Sequence, residues 1–243
     1  MITADQPANL PEELLVAVSS REDGTMLDRS RDNRHDAEIV ANRKAFCEEA
    51  GIAYENCAYQ IISYAPEATF RMITEVVESD SEGVVADVLY TECSGVGLFL
   101  PIADCVGTII YDQKRKALAL AHLGRHASLA DTITKTIEFF AAKGSDANDL
   151  YIWMAPSVKQ QSYRMEYFDK ATDPLWKDYC ITKDGGFYLD MQGYNRSRAI
   201  AAGVRAENII ISPVDTATDP HYFSHSQGDQ QGRFAVVAEL RAI

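Results

Sequence analysis

The chain has 243 residues, 47% of them hydrophobic, which is enough apolar material for one sizeable core. Its formal net charge is −13, so a phosphate backbone would be repelled and nucleic-acid binding is excluded as a default. An anionic small molecule would need a local basic pocket.

Residues 1–11 lack the apolar stretch of a secretory signal, and no apolar run approaches the roughly 18 residues of a membrane span. The five cysteines are an odd number with no CxxC pair, which suits a reducing compartment. A cytoplasmic protein without membrane or nucleic-acid partners is therefore expected.

Residues 14–19 (LLVAVS) read as a first strand, and residues 21–34, polar and charged, as a loop. Residues 36–51 read as a helix. Asp36 is placed to cap its start, Ile39, Val40, Phe46 and Cys47 favour one side, and Gly51 stands where a closing glycine belongs. Strands follow at 57–64 and 69–77, with Pro66 between them. Residues 83–112 are strand-rich, with turns expected at Ser94-Gly95 and at Pro101. Residues 117–123 (ALALAHL) read as a buried strand. Leu129, Ile133, Ile137 and Phe140 then recur at helical spacing within a helix expected over 128–143. A strand at 151–156, a helix at 190–203 and strands at 208–212 and 234–240 complete the pattern. The alternation, with no composition break or repeat, predicts one α/β domain over residues 1–243: a single layered domain with mixed β-sheets packed between helices.

Two chemically active side chains sit at the edges of neighbouring core strands. Cys105 closes the turn Ala103-Asp104-Cys105 between two apolar strands, and His122 lies near the end of ALALAHL. A thiol and an imidazole placed this way can form a nucleophile–base dyad. They can equally be two legs of a zinc site, which typically needs about three protein ligands when catalytic. A cysteine beside a strand is also commonly a small buried hydrophobe.

The motifs resemble those of a known family. The pattern ADC…AHLGR is similar to the TADC…AHAGWRG signature of the laccase-domain family, also called polyphenol-oxidase-like proteins or peptidoglycan editing factors. HDAEIVANRKAFCEEAGI resembles the family's N-terminal helix and places Asn42 and Arg43 on its usual Asn-Arg pair. VVADVLYTECSGVGLFLPIADC places Asp87 on a recurring aspartate. Asp219, Pro220, Phe223, Ser224, His225, Gly232 and Arg233 match the C-terminal pattern DPxxFFSHRRDGxTGR.

The resemblance implies a single α/β domain with packed sheets between helices. It also implies phosphorolysis of purine nucleosides, in some members adenosine deamination, and a zinc ion held by one cysteine and two histidines. Two of those ligands map onto Cys105 and His122. The third falls on Ile62, because the family's QVHG strand aligns with Gln60-Ile61-Ile62-Ser63. The chain departs from the pattern elsewhere too. Arg125 and His126 replace the Trp and Arg after the second histidine, and Asp215 and Thr218 stand where paired cysteines often occur. The family's GPAIGPCCYEV loop survives only as Ala155-Pro156-Ser157 and Tyr163.

His126 and His225 are the candidates to complete a metal set, His126 being the tentative third ligand beside Cys105 and His122. The helix expected from Ser128 would leave His126 on the connecting loop. A zinc ion, if held, would be weakly held. Phosphate as cosubstrate calls for arginine, whose guanidinium fork matches phosphate oxygens. Arg43, Arg125 and Arg233, with His225, are the expected substrate-binding residues.

Three functions follow. The first is a purine nucleoside phosphorylase or adenosine deaminase, with Cys105, His122 and Asp104 catalytic and Asp104 orienting a neighbour. The second is a metal-free Cys–His hydrolase acting on an amide, as in editing of peptidoglycan precursors. The third is a catalytically decayed scaffold that binds a nucleoside or a partner. Five scattered histidines do not suffice for a multicopper centre.

Overall fold

A computed structural model describes residues 6–8, 10–28, 35–63 and 72–242. In chain order its elements are β1 (Leu14–Val18), α1 (Ala37–Ala50), β2 (Cys57–Ile61), β3 (Ile73–Glu75), β4 (Asp80–Val85), β5 (Val88–Thr91), β6 (Gly97–Ile102), β7 (Val106–Asp112) and β8 (Ala117–Leu123). They continue with α2 (Arg125–Leu129), α3 (Thr132–Ala142), β9 (Leu150–Met154), β10 (Arg164–Met165), β11 (Cys180–Lys183), β12 (Gly186–Leu189), α4 (Met191–Ala201), β13 (Ile209–Ile211) and β14 (Phe234–Leu240).

These elements build two large mixed sheets and one small one. The first runs β1-β14-β6-β2-β4, the second β13-β9-β7-β8-β5-β3, and the small sheet β10-β12-β11. Alternation along the strands explains how they stack. Leu98, Leu100 and Ile102 of β6 and Val236 and Ala238 of β14 turn to one face, where they meet Leu118 and Leu120 of β8 and Ile109 of β7. The opposite face of the first sheet, with Tyr59, Phe99 and Val237, is covered by Phe46 and Cys47 of α1. The opposite face of the second, with Ala119, Ala121 and Ile110, is covered by Ile133, Ile137 and Phe140 of α3 and by Tyr194 of α4. The expected α/β layering, with mixed sheets between helices, is what the structure has.

Two connections position the site. The chain leaves β4 in the first sheet and enters β5 in the second through Ala86-Asp87, and leaves β6 for β7 through Ala103-Asp104-Cys105. Strand β8 lies between β5 and β7, with Val88 opposite Ala121 and Gly107 opposite His122. Both crossovers therefore arrive beside the last residues of β8. The tight turn at the second crossover has a backbone bond from Cys105 N to Ala103 O of 2.8 Å, and Asp104 takes φ 66°. That left-handed conformation is one aspartate tolerates better than most residues.

Several elements match their sequence expectations closely. Asp36 caps α1 by accepting from Glu38 N, and Gly51 closes it at φ 79°. Strands β8 and β14 carry the expected bounds. Positions 29–34, 64–66 and 69–71 of the expected loop and strands lie outside the described residues.

Three expectations are corrected. Pro101 makes no turn but lies within β6, opposite Ala235. The N–H and carbonyl of Ala235 both bond Ser19, so this pair needs no ladder bond from the proline. The pairing of β2 with β6 ends at Tyr59–Phe99, so the missing N–H is not required on that side either. Second, the helix expected over 128–143 begins earlier, at Arg125, and is broken. Asp131 at φ 56° separates α2 from α3, with its carboxylate bound to Arg198 (2.7 and 3.1 Å) and to Thr134 (2.8 Å). Third, the small sheet was not anticipated. Its hairpin turns at Asp184-Gly185, both at positive φ, between paired Lys183 and Gly186. An Asp-Gly pair is a strong hairpin signal.

Candidate active site

The crossovers bring three side chains together at one end of the space between the large sheets. His122 N donates to Asp87 O at 2.8 Å, which continues the β5–β8 ladder. The two side chains then meet, with His122 Nδ1 3.3 Å from Asp87 Oδ1 and both residues about 95% buried. A carboxylate only accepts, so Nδ1 carries the proton and Nε2 is turned to the other side. There Nε2 and the Cys105 thiol border the same small space beside Gly124. Burial works against a charged imidazole. The pull of Cys105 and the hydrogen bonds with Asp87 and Cys105 outweigh it, and the pKa of His122 is pushed up to about 9.

Gly124 fits this pair closely. A Cβ built there would fall 3.0 Å from Cys105 Sγ, 2.9 Å from His122 Cε1 and 3.1 Å from His122 Nε2. The residue after β8 must therefore lack a side chain if thiol and imidazole are to keep their places.

Asp104 has a different role from its neighbour. Its carboxylate accepts from Thr216 Oγ1 at 2.8 Å and from Ser226 N at 2.7 Å, and its carbonyl accepts from Val158 N at 3.0 Å. It is buried and ties the Cys105 turn to two distant loops. Hydrogen bonds to a charged group are worth about 1.5–3 kcal/mol each. Asp104 is thus a positioning residue, and the orienting part of its expected role is the part its contacts describe.

Cys105, His122 and Asp104 line a cavity of about 670 Å³ together with Ile62, Arg125, His126, His225 and Arg233. This volume suits a small-molecule ligand. Arg233 is buried, and its guanidinium donates to the carbonyl of Gly232 at 2.6 Å. His225 is exposed and opens a single 3₁₀ turn, held from below through Ser226 by Asp104.

Arg43 is not brought to the cavity, which corrects its expected role in binding substrate. Only 1% exposed, it donates through Nε to Met26 O (2.8 Å), through Nη1 to Tyr54 Oη (3.1 Å) and through Nη2 to Tyr59 Oη (3.2 Å). Its guanidinium also lies 4.3 Å above the Tyr59 ring. It knits α1 to β2 as a structural residue.

His126 is likewise corrected. It sits in the first turn of α2 rather than on a loop, exposed, with Nε2 3.2 Å from Arg125 Nη2. Burial and the neighbouring Arg125 charge hold its pKa below the ordinary histidine value. It is not gathered with Cys105 and His122. Among the described residues, no three His, Cys, Asp or Glu side chains are clustered to hold a metal ion. Ile62 lines the same cavity but offers no donor. The side chains present do not fit a three-ligand zinc centre.

Sequence reasoning missed Asp87 as a site residue. The signal was the recurring aspartate that the resemblance had already marked. It also missed Gln60, which lines the cavity while only 1% exposed.

A two-sheet α/β sandwich with a buried carboxylate–imidazole pair beside a half-buried thiol at one open end defines the class of protein. The chain belongs to the family described as multi-copper polyphenol oxidoreductase laccase, whose model matches residues 20–241. It is 25% identical over 178 residues to a purine nucleoside phosphorylase of Xylella fastidiosa (strain 9a5c), a match covering 71% of this chain and 65% of that protein. It is 24% identical over 212 residues to purine nucleoside phosphorylase YlmD of Bacillus subtilis (strain 168), covering 80% of this chain and 74% of that one. Over 142 residues it is 28% identical to a protein named adenosine deaminase RL5 from an unknown prokaryotic organism, covering 56% of this chain and 53% of its length. Among solved structures, YlmD from Geobacillus stearothermophilus superposes with a TM-score of 0.81 at 21% identity, covering 98% of both chains. That likeness concerns the fold. No helix among the described residues is long and apolar enough to cross a membrane.

Proposed function

We propose that this chain is a purine nucleoside phosphorylase whose chemistry is carried by Cys105, His122 and Asp87 without a complete zinc site. The observation that carries this reading is the charge of the cavity. In a chain of net charge −13, the space beside Cys105 and His122 is lined by two arginines, Arg125 and Arg233, against the carboxylate of Asp104, with His126 and His225 at its edge. Such a local basic pocket is what an acidic protein needs to hold inorganic phosphate. The names of the relatives supply the nucleoside.

In this reading the side chains have separate parts. Arg125 and Arg233 hold phosphate, one oxygen of which forms a bond to the sugar C1′ as the C1′–N9 bond breaks. The electron pair remains on the purine, which takes the proton that Nε2 of His122 shares with Cys105, and solvent returns that proton. Asp87 holds the ring by Nδ1, and Cys105 holds it from the other side. Five unpaired thiols accord with a reducing compartment, and the cytoplasm is the location proposed.

The test is release of hypoxanthine from inosine with and without phosphate, and with and without a zinc chelator. Phosphate-dependent release that survives the chelator and drops by about 10²-fold or more in both Cys105→Ser and His122→Ala is expected. Release that ignores phosphate, or that the chelator abolishes, overturns the reading. One observation favours a second reading. The order Asp87–His122–Cys105 is also that of a thiol nucleophile with its base. In that case a small amide would leave an acyl group on Cys105, detectable by mass.

A further inference from the structure

We infer that Gln60 is a specificity-determining residue whose Oε1 accepts a hydrogen bond from an N–H on the six-membered edge of the purine. The inference rests on the nucleoside reading above and adds to it which part of the ligand enters deepest.

Gln60 lines the cavity and is only 1% exposed. Its Nε2 donates to Ala86 O at 3.0 Å. A carbonyl can only accept, so this bond fixes which end of the amide faces Ala86 and leaves Oε1 as the other end. That oxygen is buried and has no hydrogen-bond partner among the described residues. Buried acceptors are nearly always paired, and an unpaired one on a residue that lines a cavity points to a donor on whatever fills that cavity.

The place of Gln60 selects the donor. Residues 60 and 62 share a face of the β2 ribbon, the face that turns Ala58 into the core between the sheets. Ile62 lies beyond the strand's last residue, at the cavity, and Gln60 lies two positions deeper. The reacting C1′ must lie near Cys105 and His122, with phosphate beside Arg125 and Arg233. Sugar and phosphate thus occupy the outer part of the cavity. The flat heterocycle extends inward past Ile62, Ile102 and Met191, which are apolar and line the same space. A 6-oxopurine offers N1–H and a 6-aminopurine offers its amino group. Purine riboside has neither.

The experiment compares kcat/KM for inosine and purine riboside in the wild type and in Gln60→Met, which keeps the length and removes the acceptor. The expected result is that the preference for inosine over purine riboside shrinks by at least about tenfold in the variant, through a loss on inosine alone. Because each ratio is taken within one protein, differences in leaving-group chemistry cancel between the two. An equal loss on both substrates would show that Gln60 acts only by bracing Ala86 and Asp87, and would overturn the inference. Should the variant not fold, inhibition of the wild type by free hypoxanthine and free purine gives the same answer. At least about tenfold tighter inhibition by hypoxanthine is expected, and equal inhibition overturns the proposal. Turnover of inosine by the wild type is scored separately. If it is absent under every condition, the nucleoside reading falls and this inference with it, whereas turnover without discrimination removes this inference alone.

Discussion

Asp87 and His122 are joined twice, once by a backbone bond of 2.8 Å and once by a side-chain contact of 3.3 Å. The first sets the strand register, and the second sets the direction of the imidazole. Asp87→Asn leaves the first intact and weakens the second, because an amide can offer a donor where Nδ1–H needs an acceptor. Turnover of inosine is expected to fall by about 10²-fold or more with little change in melting temperature. Unchanged turnover would remove Asp87 from the site.

Gly124 leaves room for thiol and imidazole to approach one another by having no side chain. Gly124→Ala places a methyl about 3 Å from both groups, closer than ordinary packing allows. The pair must part by a few tenths of an ångström or more. Small displacements at a reacting centre cost up to about 10²-fold in rate. A loss of that order, in a protein that still unfolds cooperatively, is the expected outcome. Full activity would show that Cys105 and His122 need not touch.

Ile62→His returns an imidazole to a position facing the same cavity as Cys105 and His122. Three such donors are the usual complement of a catalytic zinc site. The variant is expected to bind zinc at least about tenfold more tightly than the wild type in competition with a chromogenic chelator, a threshold set by the usual need for three ligands. Equal affinity would mean that the strand end does not aim at the pair.

Acid stability has a separate source. Glu13 is buried and accepts hydrogen bonds from Lys116 and from Tyr111 Oη, the latter at 2.7 Å. Those bonds, Lys116 first, lower its pKa from the ordinary 4.5 to about 2. The folded protein thus favours the ionised carboxylate. The resulting stabilisation is complete above about pH 4.5 and is lost as the pH falls through about 2. In Glu13→Gln the denaturation midpoint is expected to be lower at pH 7 and to depend less on pH between about 4.5 and 2. Parallel acid profiles for both proteins would refute the assignment.

How far the sequence foretold the molecule depends on the range of the forces involved. Helix α1 and strands β8 and β14 were readable because caps and apolar periodicity are local signals. The break before α3 was not, because Asp131 holds its left-handed conformation through Arg198, which lies in another helix. Pro101 looked like a turn because its place in β6 depends on where β2 stops. Strand ends offered the Cys105–His122 pair as one reading among others, and the resemblance to the family singled it out. Asp87 was not readable as a site residue, since its contact with His122 arises from pairing across β5 and β8. Arg43 shows the converse: as a sequence position it resembled a phosphate ligand, and the hydroxyls of Tyr54 and Tyr59 decide otherwise.

The two crossovers have a consequence for how such a protein can change. Asp87, Cys105 and His122 come from one contiguous stretch that spans both sheets. The cavity's other wall, at Val158, Tyr163, His225 and Arg233, comes from later segments. At the cavity the Asp104 carboxylate and carbonyl clasp one group to the other, beside the ladders β7–β9 and β6–β14. The centre and this wall are therefore written in separate parts of the gene, and Gln60 and Ile62 in a third. Exchanging the later segments between relatives, with the Asp104 clasp retained, should reshape that wall while leaving the centre and Gln60 in place.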